Sequence, residues 1–285
     1  MNEQAGTSAP SFISKLEQCW RQGNFVCVGL DSDYNRIPAT VRSIGSVEEA
    51  LFVFNRDIID ATHDLVCAYK PNAAFYEAQG DQGFRALSRT VEYIRETYPH
   101  IPVILDAKRA DIGSTNPGYV QAAFDIIGVD AITVHPYLGK EALAPFLERK
   151  EKGIIVLAKT SNPGAAEFQD LLVGDFREPL YLVVARTVAR AWNTNGNCAI
   201  VVGATYPAEL EKVRAVVGDI PILIPGVGAQ GGEVEATVRA GRDSRGWGMI
   251  INSSRSIIFA SKGNDFAQAA RKATERLRAE INRCR

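Results

Sequence analysis

Residues 101–108 read IPVILDAK, a run of apolar and β-branched residues that ends abruptly in charge. A strand with one face in water alternates apolar and polar residues. A run this uniformly apolar is that of a parallel strand covered on both faces. The pattern recurs at FVCVGLD (25–31), LVCAYKP (65–71), AITVHP (131–136), GIIVLAKT (153–160), CAIVVGAT (198–205), PILIPGVG (221–228) and GMIINSS (248–254).

The intervening segments have helical spacing. SVEEALFVFNRDIIDATHD (46–64) places apolar residues at 47, 51, 54, 58 and 59, and Ser46 with Glu49 three residues on forms a capping-box pattern. REPLYLVVARTVARAWN (177–193), GGEVEATVRAG (231–241) and NDFAQAARKATERLRAEINR (264–283) predict further helices, the last with the basic final turns that a helix dipole favours. Eight strand–helix pairs in ~250 residues predict a parallel eight-stranded (β/α)8 TIM barrel rather than an open sheet. An extra N-terminal helix over about 11–22 is expected to close the bottom. The first strand–helix connection lacks GxGxxG, which argues against a dinucleotide-binding fold. The 285 residues are expected to form a single barrel domain, with 1–10 flexible.

Composition excludes several function classes. Net charge is −1 and no basic block is present, so nothing points to nucleic acid. The polar opening MNEQAGTSAPSF is no signal peptide, and no 18-residue apolar span suggests a membrane, so a soluble, cytoplasmic protein is expected. The five cysteines show no CxxC spacing and read as small buried hydrophobes. The three histidines have no metal-ligand spacing, and no metal site is expected.

In such barrels chemistry sits at the C-terminal strand ends. The residues there are Asp31, Lys70, Asp106 with Lys108, His135, Lys159 with Ser161, GATY (203–206), PGVGAQGG (225–232) and NSSRS (252–256). Side chains alternate along a strand, so Asp106 and Lys108 are expected to face the barrel mouth together, within reach of Lys70. Opposite charges ~4 Å apart at an effective permittivity of ~20 attract by ~4 kcal/mol, enough to keep an alternating array ionised in a partly dry pocket. A plain ion-pair network plugging the mouth is the bland alternative; the addition of Asp31 and Lys70 favours catalysis. On the opposite side, the Gly-rich turn and Arg255 form the usual phosphate site of this architecture, to which Gln230 adds a donor. The composite is a small phosphorylated substrate whose reacting end lies over Lys70, Asp106 and Lys108.

The run DAKRADIGSTN (106–116), with GLD (29–31), YKPN (69–72), TSNPGA (160–165), PGVGAQGG and SSRSI (253–257), resembles the orotidine 5′-phosphate decarboxylase family over about 25–260. KPNAAFYEAQG (70–80) is similar to its long bacterial subgroup, type 2. The resemblance implies cofactor-free conversion of orotidine 5′-phosphate to UMP and CO₂, the last step of de novo UMP synthesis. It implies that Lys108 donates the proton, that Asp106 faces the substrate carboxylate, and that Lys70 bonds the ribose and holds Asp106. Asp31 matches a ribose ligand, Ser161 the serine that reads the pyrimidine, and Gln230 and Arg255 the phosphate ligands. Asp111 and Thr115 match residues that reach into the partner subunit's site, implying a homodimer with shared active sites.

Ser254 stands where many members carry Gly and is expected at the phosphate. Lys159 has no counterpart role, Gly113 replaces a frequent Pro, and His135 reads as a packing residue. Two rivals are a metal-dependent sugar-phosphate decarboxylase or aldolase of the same barrel suprafamily, which needs an acid where Lys70 stands, and a non-catalytic nucleotide-binding barrel.

Overall fold

Each of the predicted apolar runs forms a strand: β1 (Val26–Leu30), β2 (Val66–Pro71), β3 (Ile104–Arg109), β4 (Ala131–Val134), β5 (Gly153–Lys159), β6 (Cys198–Val202), β7 (Ile222–Pro225) and β8 (Met249–Ser253). The computed structural model describes residues 10–227 and 231–285. All neighbouring pairs are parallel, and β8 returns to β1 with Val26 opposite Ile251. Between β2 and β3 the circle is completed by two isolated parallel bridges, Tyr69 with Val103 and Asn72 with Asp106. Every residue of β1, β2, β6 and β8 is buried, as expected of strands with the barrel interior on one face and helices on the other.

The helices follow the amphipathic spacing. The helix after β1 spans Val47–Thr62, and Ser46 caps it by accepting a 3.2 Å bond from the Glu49 amide. Its buried face packs on the C-terminal helix Phe266–Cys284 through Phe54 and Phe266, whose rings stack at 5.1 Å. The predicted helix at 177–193 is shorter, Leu180–Thr187, and continues as a π-turn over Val188–Trp192. A two-stranded antiparallel ribbon, Leu172–Val173 with Glu178–Pro179, precedes it.

The extra helix, Phe12–Arg21, lies across the N-terminal strand ends. The Phe12 amide donates to Glu151 O at 2.9 Å just before β5. Lys15 pairs with Asp130 at 2.8 Å before β4, and Asp130 in turn accepts from the Val103 amide at 2.9 Å before β3. Trp20 stacks on Phe25 at the entry to β1. The bottom of the barrel is thus sealed, and the open end is the C-terminal one. Among the described residues no helix is long and apolar enough to cross a membrane. Residues 1–9, which carry most of the expected flexible lead-in, lie outside the described residues.

Candidate active site

The open end carries a chain of alternating charge. Asp106, from β3, accepts from Lys108 Nζ at 2.7 Å and Thr133 Oγ1 at 3.0 Å through Oδ1. Its Oδ2 accepts from Lys70 Nζ at 2.8 Å and, more weakly, from Asn72 Nδ2 at 3.5 Å. Lys70 Nζ also lies 3.8 Å from Asp31 Oδ1. The sequence-predicted Asp31, Lys70, Asp106 and Lys108 therefore form one array at the C-terminal ends of β1, β2 and β3.

Burial and charge oppose each other at both inner members. Burial alone would lower the pKa of Lys70, whose side chain is 3% exposed, but Asp106 and Asp31 outweigh it and the net shift is upward. Burial would raise Asp106, yet Lys70 and Lys108 together hold its carboxyl well below the usual carboxylate range. Both groups are charged through the neutral range.

Lys108 and Asp106 meet for a reason that simple alternation does not capture. Lys108 has φ +47°, the left-handed region, and the register of β3 against β4 shifts between Leu105 and Arg109. A non-glycine residue there costs roughly 1–2 kcal/mol. Its amide donates to Thr133 Oγ1 at 3.0 Å, the same hydroxyl that donates to Asp106, so one threonine pins the kink and the carboxylate together. Thr133 and Asn72 were missed in the sequence. The signal for Thr133 is a hydroxyl at the next-to-last position of an otherwise apolar strand, which also reads as an ordinary β-branched strand residue.

Asp31 is fixed from behind by a buried polar network. Next to it, Ser32 Oγ donates to Asn55 Oδ1 at 2.6 Å, and Asn55 Nδ2 donates to Tyr76 Oη at 3.0 Å and Thr90 Oγ1 at 3.1 Å. Tyr76 donates to Leu30 O at 2.9 Å, on the other side of Asp31. Asp31 Oδ1 itself is buried and accepts no hydrogen bond among the described residues. Such an oxygen is a ready acceptor for a ligand hydroxyl.

The array borders two adjoining cavities. One, of about 670 Å³, extends from Asp31, Lys70 and Asp106 to Ser161, Ser254 and Arg255. The other, of about 450 Å³, runs from Lys108 and Thr133 to Thr160, Asn162 and Gln169. Lys70, Asp106, Ser161 and Pro225 line both. Their sizes suit a nucleotide-sized ligand. Two glycines permit the close walls. A Cβ on Gly29 would stand 1.9 Å from Ser254 Oγ, and one on Gly203 would stand 2.8 Å from Ser161 Cβ. The Gly of GLD is thus required so that β1 can pass the turn after β8.

Asp111 and Thr115 are not brought to these cavities. Asp111 is half-buried, its Oδ1 accepting from the Ile112 amide at 2.7 Å, and Thr115 is exposed. The loop is braced by Asn116, which donates to Asp111 O and Ala142 O. Gln230 lies outside the described residues. His135 packs as expected: Nε2 contacts Ala110 O at 3.2 Å and Nδ1 accepts from the Tyr137 amide at 3.3 Å, tying the loops after β3 and β4.

Lys159 is 1% exposed and pairs with Asp170 at 2.5 Å beside the Tyr206 and Tyr181 rings. It anchors the loop after β5. That loop carries Ser161 and Gln169, and Gln169 is itself fixed by two 2.8 Å bonds to Thr160.

The donor set suits an organic anion more than a cation. The space between Asp31 and Asp106 is filled by the Lys70 ammonium, which would repel a divalent ion. The four cysteines inside the fold are no rival nucleophiles, since burial pushes Cys27 up to about 12 and Cys19 to about 11.

The family model described as Orotidine 5′-phosphate decarboxylase / HUMPS family matches residues 24–273. The orotidine 5′-phosphate decarboxylase of Cellvibrio japonicus is 50% identical, over 95% of this chain and 98% of that protein. That of a Janthinobacterium species is 49% identical, over 96% and 98%. Among solved structures, the OMP decarboxylase of Leishmania donovani superposes with a TM-score of 0.80 at 37% identity, over 95% of this chain and 99% of that one. With the match running from just before β1 into the C-terminal helix, the chain belongs to the orotidine 5′-phosphate decarboxylase / HUMPS family.

Proposed function

We propose that this chain is a carboxy-lyase that converts orotidine 5′-phosphate to UMP and CO₂, the last step of de novo UMP synthesis, on one barrel domain and without a cofactor. The observation that carries the reading is the Asp31–Lys70–Asp106–Lys108 array at the cavity wall, with Lys70 where a metal-dependent relative needs an acid. The activity borne by relatives near 50% identity over nearly the whole chain supports it.

In the proposed reaction the bond between C6 and the carboxylate breaks, the electron pair stays on C6, and Lys108 Nζ delivers a proton to that carbon. The ammonium stabilises charge as it develops and then quenches it. Lys108 regains its proton from water. Asp106 stands against the departing carboxylate and favours its loss. Lys70 holds Asp106 and bonds the ribose, Asp31 accepts from a ribose hydroxyl, and Ser161 reads the pyrimidine. Arg255, Ser254 and Gln230 take the phosphate. Binding energy from that distant group orders the reacting end.

Asp111 and Thr115 act in a neighbouring subunit's site, in a C₂ homodimer. Supporting this, their loop stands outside the cavities of its own chain. It also exposes Ile112 (55%), and the loop that His135 ties to it exposes Tyr137 (88%). Buried cysteine thiols, none of them in a disulfide, fit a cytoplasmic location.

The test is the loss of orotidine 5′-phosphate absorbance with purified protein in excess EDTA. Steady turnover that vanishes in Lys108→Ala supports the reading. Turnover of a sugar phosphate that needs magnesium would replace it with the metal-dependent one.

A further inference from the structure

Arg36 lines the same cavity as Arg255, although it comes from the short turn after β1 and not from the Gly-rich side. Its guanidinium lies 4.1 Å over the Phe259 ring. Phe259 closes the one-turn helix Arg255–Ile258, and its amide donates to Arg255 O at 3.3 Å. Residues four apart on such a turn share a face. The Phe259 ring therefore serves as a shelf that holds the Arg36 guanidinium beside the turn bearing Arg255. The ring is itself fixed by stacking on Phe54 at 5.6 Å.

Arg36 and Arg255 thus both line one cavity. Among the described residues neither is paired with a carboxylate, whereas about half of the other arginines are. Like charges lining one cavity without an internal counter-ion repel to an extent set by their separation. An anion from outside removes that repulsion. A phosphate monoester carries about −1.5 to −2 at neutral pH, so one arginine leaves it under-neutralised and two match it.

We infer that Arg36 is a second phosphate-binding residue, contacting the substrate's phosphate from the turn after β1 and making the site selective for the doubly charged form. This rests on the reading that the phosphate lies at Arg255. The aromatic shelf limits the conformations the long side chain must lose on binding, so the contact is partly prepaid in the free protein.

The test compares UMP with uridine, which lacks the phosphate, by calorimetric titration of the full chain and its Arg36→Met, Arg36→Lys and Arg255→Met variants. Methionine keeps an apolar stem on Phe259, and thermal melting checks that the fold is intact. Arg36→Met should weaken UMP roughly tenfold and leave uridine unchanged, with Arg36→Lys recovering part of the loss. UMP affinity within about twofold of wild type in Arg36→Met, while Arg255→Met weakens it, would overturn the role of Arg36 alone. Equal weakening of UMP and uridine would also overturn it, since the effect would not be on the phosphate. No loss of UMP affinity in Arg255→Met would instead remove the phosphate end from this side of the barrel.

Discussion

Lys70 Nζ sits 2.8 Å from Asp106 and 3.8 Å from Asp31, on a side chain that is 3% exposed. A fully buried ammonium is tolerated only because two carboxylates face it, and each of them is tolerated because of the ammonium. The stability of the barrel mouth and its chemistry therefore draw on the same three residues.

Replacing Asp106 by Asn should expose that dependence. Lys70 would keep its burial and lose its nearest counter-charge, a change that typically costs about 3–5 kcal/mol. Urea unfolding measures it; a loss below about 1 kcal/mol would mean that Lys70 simply swings into solvent. The pH dependence has a definite sign. The folded pKa of Asp106 is depressed, so its contribution is present above the unfolded value of about 3.9 and is lost as pH falls through the folded one. The folded pKa of Lys70 is raised, so its contribution is present below about 10.4 and is lost as pH rises through the folded one. Between about pH 5 and pH 9 this pair should add no slope to wild-type stability.

Lys108→Ala should cut kcat by ~10⁴ or more, since both charge stabilisation and proton delivery are lost. UMP affinity should change far less, because Lys70 and the phosphate end remain. Single-turnover decarboxylation and UMP titration on the same preparation separate the two. Turnover near the wild-type rate would remove Lys108 from the reaction.

Gly29→Ala tests the close passage of β1 beside Ser254. The added methyl would stand 1.9 Å from Ser254 Oγ, so the turn after β8 must shift. Overpacking of this kind costs about 1–3 kcal/mol, and UMP binding should weaken along with stability because Ser254 and Arg255 move. A variant that melts and binds UMP like the wild type would show that the turn adapts without consequence.

Mixing two inactive proteins tests the shared site. In a C₂ dimer of Asp106→Ala with Asp111→Ala subunits, one of the two sites is assembled entirely from intact residues. Random exchange at equal amounts should restore about a quarter of wild-type activity. No recovery, with exchange verified by mass, would make each subunit self-contained.

Much of this was legible in the sequence, and the exceptions have physical causes. Parallel strands buried on both faces are written as continuous Val and Ile runs, so all of the barrel strands could be placed. The apolar run opens at Ile101 whereas β3 begins at Ile104, because Val103 is apolar yet makes only an isolated bridge. Asp106 and Lys108 were identified, but the left-handed kink at Lys108 was not, because nothing in a lysine announces positive φ. The acceptor role of Thr133 hid in a β-branched residue that strands favour anyway. Arg36 escaped notice because its meaning depends on Phe259, more than two hundred residues away.

The two isolated bridges between β2 and β3 have a consequence for how the molecule fails. Every other strand pair shares a hydrogen-bonded ladder, so this junction is the seam along which the cylinder opens most readily. Lys70 stands on one lip of the seam and Asp106 on the other, and their ion pair acts as its rivet. Parting the seam by a few ångströms dismantles the site while the other strand pairs stay intact. As denaturant rises, turnover should vanish before the circular dichroism signal falls, and the amides of β2 and β3 should exchange with solvent ahead of those of β5 and β6.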